Sequence, residues 1–156
     1  VAVMLLCEAA AFYKLQGKTL WDAMTAMYET YGYYQEGLAT VTLKGQDGAR
    51  RIRQQMENLR AHPPVSLGGM EVKAFRDYQA DVRKDLATGQ EEKTGLPESN
   101  VLYYELEDGA WCCVRPSGTE PKIKFYLSCR GESAEEAERA LLELRQAVGE
   151  LMERSR

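Results

Sequence analysis

Three strand-length runs follow one another between residues 100 and 128, with nothing between them long enough to be a helix. Residues 100–107 and 110–115 are separated only by Asp108 and Gly109, the dipeptide that most strongly marks a tight hairpin. Strands joined so closely must run antiparallel, because a parallel return needs a crossover of a dozen residues or more. The third run, 122–128, alternates Ile123, Phe125 and Leu127 against Lys122, Lys124 and Tyr126. Such a period of two gives the strand one buried and one polar face. This block commits the chain to an antiparallel sheet covered on one side.

The flanking segments supply the cover. Residues 1–16 read as a helix ended by Gly17, and its first turns are apolar all round, the mark of a helix buried on every side in its native setting. Thr19 with Asp22 makes an N-cap for a second helix over 20–31, ended by Gly32. A strand is expected over 38–44, a turn at 45–48, and an amphipathic helix over 49–61 with Ile52, Met56 and Leu59 inward and Pro63-Pro64 as its stop. Residues 70–78 read as a strand with Val72, Ala74 and Arg76 on one face and Lys73, Phe75 and Asp77 on the other. The polar stretch 79–99 reads as a long surface loop in which Asp81, Arg83, Lys84 and Asp85 are solvated charges. Ser133 and Glu136 form a capping box for a last helix to about Arg154, with Ala137, Leu141, Leu144, Val148 and Leu151 inward. The order α-α, then β-α-β-β-β-β-α, is that of an α+β protein: an antiparallel sheet with helices on one face.

Composition narrows the function. A net charge of −4 over 156 residues argues against a general nucleic-acid binder, which needs a basic excess. The four cysteines, Cys7, Cys112, Cys113 and Cys129, lack zinc spacing and read as small buried hydrophobes of a reducing cytosol. The apolar start of the chain has no basic n-region and is too short to span a bilayer. His62, the single histidine, ends a helix, where a cation is favoured, and no catalytic role is assigned to it.

The connection between the last two strands carries the chemistry. Arg115 offers a planar fork of donors matched to phosphate oxygens. Ser117 and Thr119 add hydroxyl donors, and Gly118 lets the backbone come close to an anion. Pro116 and Pro121 stiffen the loop, and Lys122 and Lys124 add positive charge. These are the parts of a phosphate grip, although the same residue types also make an ordinary strand connection. The loop is not a P-loop and does not open a helix.

The string RPSGTEPKIKFY at 115–126 resembles the phosphate-binding loop of the α-D-phosphohexomutase superfamily, the phosphoglucomutases and phosphomannomutases. The segments 31–37, YGYYQEG, and 81–85, DVRKD, resemble the bacterial phosphoglucomutase branch. The resemblance implies a fourth, C-terminal domain with a fold similar to half of the TATA-box-binding protein, over 37–156, preceded by the last helices of a third domain over 1–36. It implies an enzyme that interconverts hexose 1-phosphate and hexose 6-phosphate, with glucose the favoured sugar. Such enzymes work through a phosphoserine and a bisphosphorylated intermediate. Arg115, Ser117, Gly118, Thr119, Lys122 and Lys124 would hold the phosphate that is not transferred, with Glu120 turned away or paired with Lys122.

The family's phosphoserine, magnesium and sugar-reading loops do not occur among these residues. The chain is therefore expected to be a C-terminal fragment without catalytic or metal-binding residues, inactive alone. Mg²⁺ and glucose 1,6-bisphosphate are implied only for the longer enzyme, together with a cytoplasmic location and with glucose phosphates and the remaining domains as partners. Neither nucleic acid nor membrane is an expected partner. The apolar first helix suggests self-association through residues 1–16. The competing reading is a free-standing anion-binding or protein-interaction module.

Overall fold

The computed structural model of the chain describes residues 1–43 and 46–153. The expected strand end at Lys44, the turn residue Gly45 and the helix end at Arg154 lie outside them. Among the described residues, eight strands form an antiparallel sheet. The path is β1 (Tyr33–Thr42), β8 (Lys122–Gly131), β7 (Trp111–Pro116), β6 (Leu102–Leu106), β3 (Met70–Asp77), β4 (Val82–Asp85) and β5 (Glu91–Glu92), with β2 (Ser66–Leu67) paired to β3. Helices α3 (Gln46–Ala61) and α4 (Ala134–Glu153) cover one face.

Alternation selects that face. Tyr104 lies opposite Cys112, which lies opposite Leu127, and Val114 lies opposite Phe125, so each cross-strand row delivers apolar side chains to the same side. These residues meet Ile52, Met56 and Leu59 of α3 and Leu144 and Val148 of α4 in one continuous core. Burying such side chains contributes about 1.5–3 kcal/mol each. The Tyr104 hydroxyl, deep in this core, donates to the carbonyl of Leu59 at 3.3 Å, which ties α3 to the sheet. Burial holds this phenol well above its ordinary pKa.

The Asp108-Gly109 turn has the backbone that its sequence demands. Asp108 and Gly109 take φ of 53° and 76°, and the Ala110 amide donates to Glu107 at 3.0 Å. Helices α1 (Ala2–Leu15) and α2 (Leu20–Tyr31) form where expected, with the Thr19–Asp22 capping box in place. Ser133 caps α4 through the Glu136 amide at 3.2 Å, while the Glu136 carboxylate accepts from Glu132 rather than from Ser133.

Several expectations are corrected. The strand expected over 38–44 begins five residues earlier, at Tyr33, because all ten residues of β1 pair with β8. Gln46, Asp47 and Gly48 belong to α3 rather than to a turn; a Cβ at Gly48 would run into the Leu43 carbonyl. The face assignment in β3 changes at a bulge between Val72 and Ala74, which turns Phe75 into the core alongside Val72 and leaves Arg76 outside it. The stretch read as loop at 79–99 contains β4 and β5. Of the charges expected to be solvated, Lys84 is ion-paired with Glu91 at 2.9 Å and Arg83 with Glu92 at 3.0 Å and Glu105 at 2.8 Å, while Asp81 and Asp85 accept from the hydroxyls of Thr94 and Thr88. Strands held by ion pairs need no apolar alternation, which is why the sequence hid them. Of the cysteines, Cys112 and Cys129 are buried, Cys113 is half-buried and Cys7 is exposed.

Candidate functional site

Strands β7 and β8 run side by side and carry the loop between them, so their register fixes what flanks it. Arg115 sits directly opposite Lys124. Both side chains point to the open face of the sheet, because Val114, Ile123 and Phe125 take the core side. Like charges set opposite each other across a strand pair are destabilising unless an anion lies between them. Among the described residues, neither Arg115 nor Lys124 makes an ion pair or a side-chain hydrogen bond.

The loop itself is held by its own polar atoms. The Ser117 amide donates to the Lys122 carbonyl at 2.8 Å, and the Lys122 amide to the Glu120 carbonyl at 2.7 Å. The Leu43 amide donates to the Pro121 carbonyl at 2.9 Å, which anchors the loop base to the end of β1. The Ser117 hydroxyl oxygen accepts from the Glu120 amide at 3.3 Å, leaving its proton free for donation outward. A Cβ at Gly118 would meet nothing within 4 Å, so this stretch of backbone is open to approach.

On the open face these groups border a hollow of about 360 Å³, lined by Arg115, Ser117, Gly118, Thr119, Lys124 and Tyr126 among others. Five of the six residues expected from the sequence thus come together. The sixth, Lys122, stands outside the hollow and is engaged by Glu120 at 2.9 Å. That pairing is one of the two arrangements expected for Glu120. Tyr126 was not among the expected residues; its signal is the two-residue spacing from Lys124, which puts it on the same face. Cys113 lies two residues before Arg115 on this face. Burial raises its thiol above the ordinary range, and the Arg115 charge pulls the other way. The arrangement can hold a small dianion: two unpaired cations, two hydroxyls and open backbone converge on one hollow. Among the described residues no group of three His, Cys, Asp or Glu side chains could hold a metal ion.

Residues 52–147 match the family described as phosphoglucomutase/phosphomannomutase, C-terminal domain. The phosphoglucomutase of Staphylococcus aureus strain bovine RF122 / ET3-1 is 38% identical over 128 residues, which is 82% of this chain and 23% of that protein. The phosphoglucomutase of the MRSA252 strain is 37% identical over the same shares. The chain thus spans about a quarter of the length of these curated relatives. The open form of parafusin from Paramecium, titled a phosphoglucomutase, superposes with a TM-score of 0.50 at 16% identity, over 88% of this chain and 22% of that one, a likeness of fold. With the family match covering more than half of its residues, this chain belongs to the phosphoglucomutase/phosphomannomutase family and carries that family's C-terminal domain.

Proposed function

We propose that the hollow at Arg115–Lys124 holds the non-transferred phosphate of a hexose phosphate within a longer phosphoglucomutase-type enzyme. The observation that carries this reading is the cross-strand pair of cations with no counter-ion among the described residues. A phosphate dianion at that point would relieve their repulsion and accept from Ser117 and Thr119 as well. The enzyme interconverts glucose 1-phosphate and glucose 6-phosphate, and a bisphosphorylated sugar must turn over between its two half-reactions. A grip on phosphate alone, indifferent to the sugar's orientation, suits both poses. Binding energy at the remote phosphate positions the reacting one.

The phosphoserine, the Mg²⁺ and the action of glucose 1,6-bisphosphate belong to other domains of that enzyme, which acts in the cytoplasm. Residues 37–156 make the phosphate-holding domain, and α1 and α2 end the domain before it. Support for this division comes from the thin contact of the two helices with the sheet, chiefly Tyr28 stacked on Tyr33 and Arg130 donating to the Tyr31 carbonyl at 3.0 Å. Val3, Met4, Leu5, Leu6 and Phe12 of α1 are all exposed here. The isolated chain should therefore self-associate, and sedimentation showing a strict monomer at high concentration would count against it.

Alone, the chain should not turn over glucose phosphates and should bind phosphate only at about millimolar strength, as one small anion supplies about 4 kcal/mol. A turnover assay and a phosphate titration check the two statements. Catalysis by the chain alone, or no binding at any attainable concentration, would refute the reading.

A further inference from the structure

The loop has a second side. On the helix-covered face, between the loop and the first turns of α3, lies a separate hollow of about 860 Å³. Burial of Ile52, Met56 and Leu59 fixes the rotation of α3 and leaves Arg53 on the rim facing the loop. Among the described residues, Arg53 makes no ion pair, whereas the neighbouring Arg50 is taken by Asp47 at 3.0 Å.

Across the hollow stands Asn100, and its orientation is forced. The Arg60 guanidinium donates from Nε to buried Asp77 at 2.8 Å and from Nη2 to Asn100 at 2.8 Å. A guanidinium can only donate, so the atom facing it must be the amide oxygen. The Asn100 Nδ2, with two donors, has no acceptor among the described residues. The carboxylate on the rim, Glu120, is engaged by Lys122. Arg53 and the Asn100 amide thus offer this hollow donors that no acceptor among the described residues takes. Between them Ile52, Val101, Pro116 and Pro121 give apolar wall, and the volume exceeds what a bare phosphate needs.

We propose that this helix-side hollow is a second anion subsite, taking a phosphate monoester with its dianion on Arg53 and the Asn100 amide and its carbon body along Ile52 and Val101. It lies on the other side of the loop from the sheet-side cradle, and the two hollows share Arg115, Pro116, Ser117, Gly118 and Thr119 as a common wall.

The test is an amide NMR titration of the chain with glucose 1-phosphate and, separately, with inorganic phosphate. Signals of Arg53 and residues 99–101 should move with a midpoint different from that of Lys124 and Tyr126, which border only the sheet-side hollow. Glucose 1-phosphate should act on them at lower concentration than inorganic phosphate; equal midpoints would mean that free phosphate is the ligand and would overturn the monoester assignment. Arg53→Gln should weaken the helix-side response roughly tenfold, as a charge-assisted contact is lost. Asn100→Asp keeps the oxygen that Arg60 needs but replaces the donors by a carboxylate, and should abolish that response. Lys124→Gln should weaken only the sheet-side response. Unmoved signals at 53 and 99–101, or movement unchanged by both helix-side variants in otherwise unperturbed spectra, would overturn the proposal. Loss of the Lys124 and Tyr126 response alone would instead count against the sheet-side cradle.

Discussion

Two places on the open face of the sheet set like charges directly opposite each other, and they resolve the conflict differently. Arg76 faces Arg83 across β3 and β4, and Arg115 faces Lys124 across β7 and β8. At the first, Glu105 accepts from Arg76 and, through both oxygens, from Arg83 at 2.8 Å, while Glu92 takes a further Arg83 donor. Arg76 also lies 5.3 Å from the Tyr103 ring centroid. Hydrogen bonding from Arg83 and then Arg76 holds the Glu105 carboxyl below its usual value of 4.5. At the second place no carboxylate among the described residues pairs with either cation. The first pair is closed within the fold, and the second presents its donors outward, as a binding site must. On the proposed reading, what separates a structural cation pair from a functional one here is the presence of an internal acceptor.

The largest effect should come from the open pair. In the longer enzyme, Arg115→Ala should lower kcat/KM roughly 30- to 1,000-fold, equivalent to about 2–4 kcal/mol of lost charge-assisted binding. Arg76→Ala should leave kcat/KM within about twofold and lower the melting temperature instead, since its partner is internal. Steady-state kinetics with thermal melts on both variants separates the two roles. Equal kinetic effects would erase the distinction.

Glu105→Gln should destabilise the chain by about 1–2 kcal/mol, because it leaves two facing guanidiniums without a counter-ion but at a partly solvated site. Urea unfolding reads this directly. The pH dependence follows from the lowered carboxyl. Its stabilisation is present above pH 4.5, the ordinary value, and is lost as pH falls through the lower folded value. The acid limb of a stability profile should therefore flatten in Glu105→Gln. A wild-type profile unchanged across this range would contradict the pairing.

The smallest effect concerns the loop's own carboxylate. Glu120 neutralises Lys122 at 2.9 Å, and Glu120→Gln should tighten phosphate binding about two- to fivefold by removing a nearby negative charge. Phosphate titration of the variant checks it. Weaker binding would mean that Glu120 shapes the loop rather than offsets its charge.

The open pair was legible in the sequence and the closed one was not, for a physical reason. Arg115, Ser117, Gly118, Thr119 and Lys124 lie within ten residues, so a local string brings them together whatever the remaining fold. Glu105 reaches Arg83 and Arg76 only through strand register, and β4 shows no apolar alternation because its pairing rests on charge. The same holds for Arg53, which meets the loop only once α3 is packed. The Asp108-Gly109 turn and the alternation in β8 were readable because each is a local rule with one geometric solution. The bulge at Val72–Ala74 was not, since nothing in that run marks the extra residue.

The most direct test of the central claim is a crystal of this chain soaked in glucose 1-phosphate. The expected result is a phosphate between the Arg115 guanidinium and the Lys124 ammonium, within hydrogen-bond reach of Ser117 and Thr119. A sheet-side hollow that stays free of ligand at saturating soak, with Arg115 turned onto a protein carboxylate, would contradict it.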